Sequence, residues 1–146
     1  MTVWELEPRR GIRASGIELT LGMDRAAARA ALAATMAGPK SHFPDEDDFT
    51  NDADGTWIRL RHDGDALQMI EFLRGDLRLD GIALHGGATW PALREQLAAR
   101  GFDFESAAVL ADGQECGSLG VNIATHDDVG GDGDGIEWVI VSADFE

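Results

Sequence analysis

One cysteine, Cys116, stands alone in 146 residues, so no disulfide can form within the chain and a secreted disulfide framework is excluded. No run approaches the roughly 20 apolar residues of a membrane-spanning helix, and the start, Met1 to Arg10, has no apolar core of signal-peptide length. These absences predict a soluble, cytoplasmic protein. Basic residues are also scarce: 12 Lys and Arg against 27 Asp and Glu give a formal charge of −15, and every base lies at or before Arg100. Such a one-sign C-terminal third repels nucleic acid and anionic membrane and favours a basic protein partner, although a solvated acidic face that aids solubility is an equal reading.

Catalytic signatures are missing as well. There is no Gly-x-Ser-x-Gly elbow, phosphate loop or dinucleotide fingerprint, and His42, His62, His85 and His126 show no ligand spacing. Cys116 has no base nearby in sequence to lower its pKa. No cofactor, metal or catalytic residue is expected on these grounds. The string Asp127-Asp128-Val-Gly-Gly-Asp132-Gly-Asp134 resembles a calcium loop in its carboxylates and glycines, but it departs from EF-hand spacing, and a plain hairpin loop is the better reading.

What is present is pattern. Ile17 to Leu21 alternates as a half-buried strand, Gly22 ends it, Asp24 can cap a helix over Arg25 to Met36, and Gly38-Pro39 stops that helix. Lys40 to Gly55, with Asp45-Glu46-Asp47-Asp48, reads as an exposed acidic loop. Trp57 to Arg61 and Ala66 to Phe72 read as strands joined through Asp63-Gly64, with Ile58 and Leu60 on one face and Trp57, Arg59 and Arg61 on the other. Leu77 to Leu84 suggests one strand bulged at Gly81. Thr89, Pro91, Leu93, Leu97 and Gly101 then specify a capped helix. Phe102 to Leu110, Leu119 to Thr125 and Gly135 to Ser142 are strand candidates, the last apolar on both faces and so central. Residues 1 to 14 read as an edge strand or an irregular arm.

Gly16-Ile-Glu-Leu-Thr-Leu-Gly and Gly81-Ile-Ala-Leu-His-Gly-Gly, each followed by a helix starter and an apolar run, suggest an internal duplication with copies over about 12–75 and 76–146 of a single domain. The expected fold is α+β: tandem strand–helix–meander repeats forming one antiparallel sheet with two helices on one face. The open face would be a platform presenting Trp57 and Trp138.

The segment Gly16-Ile-Glu-Leu-Thr-Leu-Gly-Met-Asp-Arg resembles the opening of small bacterial α+β proteins, among them immunity proteins of polymorphic toxin systems. It is also similar to helix-plus-meander proteins like β-lactamase inhibitory protein and the outer-membrane assembly lipoproteins. The resemblance implies a protein that works by binding, with no catalytic residue. An acidic immunity protein facing a basic toxin domain suits the charge, with Asp45, Glu46, Asp47, Asp48, Trp57, Asp127, Asp128, Asp132 and Asp134 as expected contacts. The acidic segments are expected at one rim, in equivalent loops of the two copies. The competing expectation is a small enzyme or ligand carrier with a pocket between sheet and helices served by His62, His85 or His126.

Overall fold

A computed structural model describes residues 2–87, 89–110 and 112–145. Its first strands, β1 (Val3–Glu7), β2 (Gly11–Ala14) and β3 (Ile17–Thr20), lead into helix α1 (Arg25–Ala33). Four strands follow: β4 (Ala37–Lys40), β5 (Glu46–Thr50), β6 (Trp57–Asp63) and β7 (Ala66–Arg74). Then come β8 (Asp76–Leu79), β9 (Ile82–His85), helix α2 (Trp90–Ala98), and strands β10 (Glu105–Ser106), β11 (Gln114–Cys116), β12 (Val121–Thr125) and β13 (Ile136–Ser142). No described helix is long and apolar enough to cross a membrane.

The fold is α+β with two sheets, where one antiparallel sheet was expected. The larger has eight strands in the order β10-β11-β12-β13-β7-β6-β5-β4, all paired antiparallel. The smaller has five, β3-β2-β1-β8-β9, and its β1–β8 pair is parallel, Trp4 lying opposite Leu77. In each half a hairpin and a helix precede four strands in sequence, and the last strands of the two halves, β7 and β13, pair at the middle of the large sheet. The N-terminal segment is not at an edge: β1 holds the centre of the small sheet between β2 and β8, and Trp4 is buried in the core.

Local chemistry accounts for most elements. Asp24 caps α1 by accepting a hydrogen bond from Ala26 N at 3.0 Å, and Ala28 and Leu32 form its buried stripe. The helix ends at Ala33, short of the expected Met36. It touches β3 of one sheet and β4 and β7 of the other, so the two helices do not simply cover one face. In α2, Thr89 holds the cap position without a side-chain bond, Leu93 and Leu97 are buried, and Gly101 takes φ +85° beyond its end. Leu77 to Leu84 is a hairpin rather than one bulged strand, because Asp80 and Gly81 both have positive φ, at 47° and 82°, as a tight primed turn requires. Phe102 to Leu110 pairs only over Glu105–Ser106, and β11 is a strand that the sequence pattern does not predict.

One contiguous cluster of buried side chains spans both sheets, from Trp4, Leu6 and Ile12 through Phe49, Ile58, Leu60, Ile70 and Phe72 to Val121, Ile123, Val139 and Val141. Ile58 and Leu60 lie fully inside, whereas Trp57, Arg59 and Arg61 stand half-buried on the opposite, outer face. That alternation is the one expected, and it sets which side chains the large sheet offers to solvent.

Candidate functional site on the outer face of the large sheet

The run Asp45-Glu46-Asp47-Asp48 is not an exposed acidic loop. Only Asp45 is exposed; Glu46, Asp47 and Asp48 belong to β5 and are 3%, 0% and 7% exposed. The reason is charge pairing with arginines placed elsewhere at matching intervals. Asp47 points inward, where Arg25 and Arg29, one turn apart on α1, each grip its carboxylate with two bonds of 2.7–3.0 Å, and Ser41 adds another at 2.9 Å. Burial alone would raise the Asp47 pKa, but the bonds from Arg29, Arg25 and Ser41 outweigh it and hold the carboxyl well below the ordinary range. His62 Nε2 stands 3.3 Å from Asp47 Oδ2 but off the line of a hydrogen bond, and neither ring nitrogen has a partner. Burial, with Arg25 nearby, keeps His62 neutral by lowering its pKa.

Glu46 and Asp48 point the other way, to the outer face. Arg59 donates to Asp48 at 2.8 and 3.2 Å and to Glu71 at 3.4 Å, and lies 3.3 Å from Glu46. Arg61 bridges Glu71 and Glu46, each at 3.0 Å. These side chains alternate across β5, β6 and β7, three carboxylates against two guanidiniums, so the array carries one net negative charge, with Arg74 exposed at the end of β7. The Asp48 hydrogen bond also raises the Arg59 pKa, against desolvation. Trp57 completes the array: its Nε1 donates to Asp48 at 3.3 Å, and the Arg59 and Arg74 guanidiniums lie 5.6 and 6.0 Å from its ring.

Trp138 on β13 is half-buried on the same face and fixed by donating to Asn122 Oδ1 at 2.8 Å. Asn122 in turn donates to the Asp112 carbonyl at 3.0 Å and to Glu115 at 3.3 Å. The Glu115 carboxylate accepts from the backbone N–H of Ala108, Val109 and Leu110 at 3.1–3.4 Å, an anion nest that ties the segment before β11 to the sheet. Gly113, at φ +91°, allows this tie because a Cβ there would sit 2.5 Å from Asn122 Oδ1.

Two adjoining hollows mark this face. The first, about 470 Å³, is lined by Asp45, Arg59, Arg61, Met69, Glu71, Leu110 and Trp138 among others. The second, about 360 Å³, is lined by Trp57, Arg74, His85, His126, Ile136 and Glu137, and shares Arg59, Leu73 and Trp138 with the first. Of the histidines, His85 and His126 therefore meet on one hollow, while His62 is buried apart beside Asp47. His126 Nδ1 pairs closely with Glu137.

No family model, curated protein or solved structure matches the chain.

The second acidic segment behaves as expected of a loop. Asp127, Asp128, Asp132 and Asp134 are all exposed between β12 and β13. Asp128, within a short 3-10 turn, accepts from Thr125 N at 2.9 Å, while Thr125 Oγ1 accepts from Asp128 N at 3.1 Å. Among the described residues, no group of three or more His, Cys, Asp or Glu side chains is placed to hold a metal ion. The two acidic segments do not share a rim. Asp45 precedes Glu46, which lies in register with Arg61 and Met69, whereas the Asp127–Asp134 loop opens onto Ile136, near the Trp57–Arg74 end of the strands. Nor are they equivalent by order: one joins the first two strands of its group of four, the other the last two.

Signals for the missed parts were present in the sequence. Arg25 and Arg29 stand four apart on a helix, and Arg59 and Arg61 two apart on a strand. Alternating carboxylates at Glu46, Asp47 and Asp48 answer both periods if that segment is itself a strand.

Proposed function

We propose that this chain is a protein-binding module that docks a basic partner on the outer face of its large sheet, and that it serves in the cytoplasm as an immunity protein neutralising a bacterial toxin domain. The observation that carries the docking site is the pair Trp57 and Trp138, half-buried on one open face and each held by a hydrogen bond beside an interleaved array of arginine and carboxylate. Tryptophan and arginine set rigidly in a hollow are the side chains that dominate binding energy at protein interfaces. The flanks are acidic, with Asp45 and Asp112 at one hollow and the Asp127, Asp128, Asp132 and Asp134 loop beyond the other, and a chain of −15 attracts a basic partner over distance. Anchors sit in the centre and steering charge at the rim.

We further read the two like successions of hairpin, helix and four strands as an internal duplication, over about 12–75 and 76–146. On that reading the docking face straddles the join between copies, where β7 meets β13.

The test is co-expression with the products of neighbouring genes. The chain should protect cells from a toxin among them and form a complex with it, and Trp57→Ala with Trp138→Ala should abolish both. Failure to bind any such product, or binding untouched by the double substitution, would discard the reading.

A further inference from the structure

The second hollow holds a cation that no described carboxylate pairs. Arg74 is exposed there and makes no ion pair among the described residues; its guanidinium rests 6.0 Å from the Trp57 ring. Arg59, also at the hollow, is satisfied by Asp48 and Glu71, and His126 and Glu137 satisfy one another. Arg74 is thus the guanidinium at this hollow that no described carboxylate pairs, in a chain of −15. Beside it His85 is 8% exposed and held neutral, its pKa lowered by burial against the pull of the Glu137 carbonyl. Its Nε2 donates to that carbonyl at 3.2 Å, its ring stands edge-on to Phe72 at 5.7 Å, and the Gly75 backbone also pulls its pKa upward. The position is built rather than incidental: Gly86, at φ +80°, brings the chain after β9 so close to Gly75 that a Cβ would lie 2.6 Å from the Gly75 carbonyl oxygen. An exposed guanidinium without an ion-pair partner, beside a hollow walled by Trp57 and Trp138, is an arrangement that an anionic ligand completes.

We propose that this hollow binds a small monocarboxylate with a flat apolar body. The guanidinium fork of Arg74 matches a carboxylate in two parallel hydrogen bonds, while Trp57, Leu73, Ile136 and Trp138 supply apolar walls for the rest of the molecule. A volume of about 360 Å³ lies at the small end of ligand sites, which run from about 300 to 1,000 Å³. A single negative charge suits it better than two, because Glu137 lines the same hollow and the chain as a whole repels anions. The carboxylate could belong to a free acid or to the end of a peptide chain. This site goes beyond partner docking and requires no partner.

Tryptophan fluorescence reads it directly, since Trp57 and Trp138 form its walls. The isolated protein is titrated with phenylacetate, with N-acetylphenylalaninate as a chain end, and with neutral phenylacetamide. Both acids should change the emission saturably, with dissociation constants on the order of a millimolar or below, and the amide should bind at least about tenfold more weakly. Arg74→Gln should weaken the acids by at least about tenfold, while Arg78→Gln, on the small sheet and paired with Asp76, should leave them unchanged. Tighter binding of N-acetylphenylalaninate than of phenylacetate would assign the site to a chain end, and the reverse to a free acid. No saturable change, equal binding of the amide, or indifference to Arg74→Gln would overturn the proposal. Because no partner protein is present, that failure would leave the docking face standing.

Discussion

Asp45–Asp48 and Asp127–Asp134 look alike in the sequence and have opposite fates in the fold. The first segment sends three carboxylates into a strand, where Arg25, Arg29, Arg59 and Arg61 neutralise them from both faces. The second meets no arginine among the described residues and stays in solvent, shaped by its own backbone, by Thr125 and by Trp90, whose backbone N–H donates to the Asp134 carbonyl at 2.8 Å. A run of like charge is thus not itself a surface feature. What decides is whether opposite charges elsewhere recur at the period of the element that will face it.

Substitutions should separate the two segments, most sharply at Asp47. Asp47→Ala would leave Arg25 and Arg29 without their shared carboxylate, and removing one partner of a buried pair costs about 3–5 kcal/mol. Urea denaturation should report a loss of that size; a loss below about 1 kcal/mol, the range of exposed pairs, would show that solvent already screens the cluster. On the outer face Arg59→Ala should cost less, about 2 kcal/mol, because Arg61 remains to serve Glu46 and Glu71. If Arg59→Ala proved as damaging as Asp47→Ala, the inner and outer halves of the strand would have to be one coupled unit.

Acid should discriminate next. His62 and His85 are buried with lowered pKa values, so the unfolded chain binds their protons first. Their stabilisation is complete above the unfolded histidine value of about 6.5 and is lost as pH falls below it, at up to about 1.4 kcal/mol per pH unit for each. Chemical denaturation between pH 7.5 and about 5 should show this slope, and His85→Gln should reduce it. The carboxylates follow later. The Thr2 and Thr56 amides hold Asp54 down to about 2, and Asp47 lies lower still, so their contribution survives to below about pH 3.9 and fades beneath it. A flat profile from pH 7.5 to 5 would mean that neither histidine is buried neutral. The smallest effect belongs to the exposed loop: Asp132→Ala and Asp134→Ala should each change stability by no more than about 0.5 kcal/mol. A larger loss in thermal melts would reveal a structural debt in that loop.

The legible parts of the fold were those written in local period. Ile58 and Leu60 against Trp57, Arg59 and Arg61 fixed the faces of β6, Asp24 marked the start of α1, and the doubly apolar Ile136 to Ser142 marked a central strand. Less legible was anything set by distant pairing. Nothing near Val3–Glu7 says that a parallel partner waits at Asp76, and Asp80-Gly81 reads equally as a bulge or a turn until both dihedrals are seen. The site divided in the same way. Trp57 and Trp138 could be placed on one open face from alternation alone, whereas the meeting of His85 with His126 depends on β9 of the small sheet lying against β13 of the large one.

The parallel pairing of β1 with β8 also carries a consequence in time. During synthesis β1 can hairpin with β2 as soon as both have left the ribosome, but its other neighbour begins with Asp76, opposite Val3. At about 5–20 residues per second, β1 waits several seconds with an open edge during synthesis. Trp4 and Leu6, which end up buried, spend that interval without the partner that helps to cover them. A nascent chain halted before Asp76 should therefore present an apolar strand edge to chaperones, and release from them should coincide with emergence of the β8–β9 hairpin.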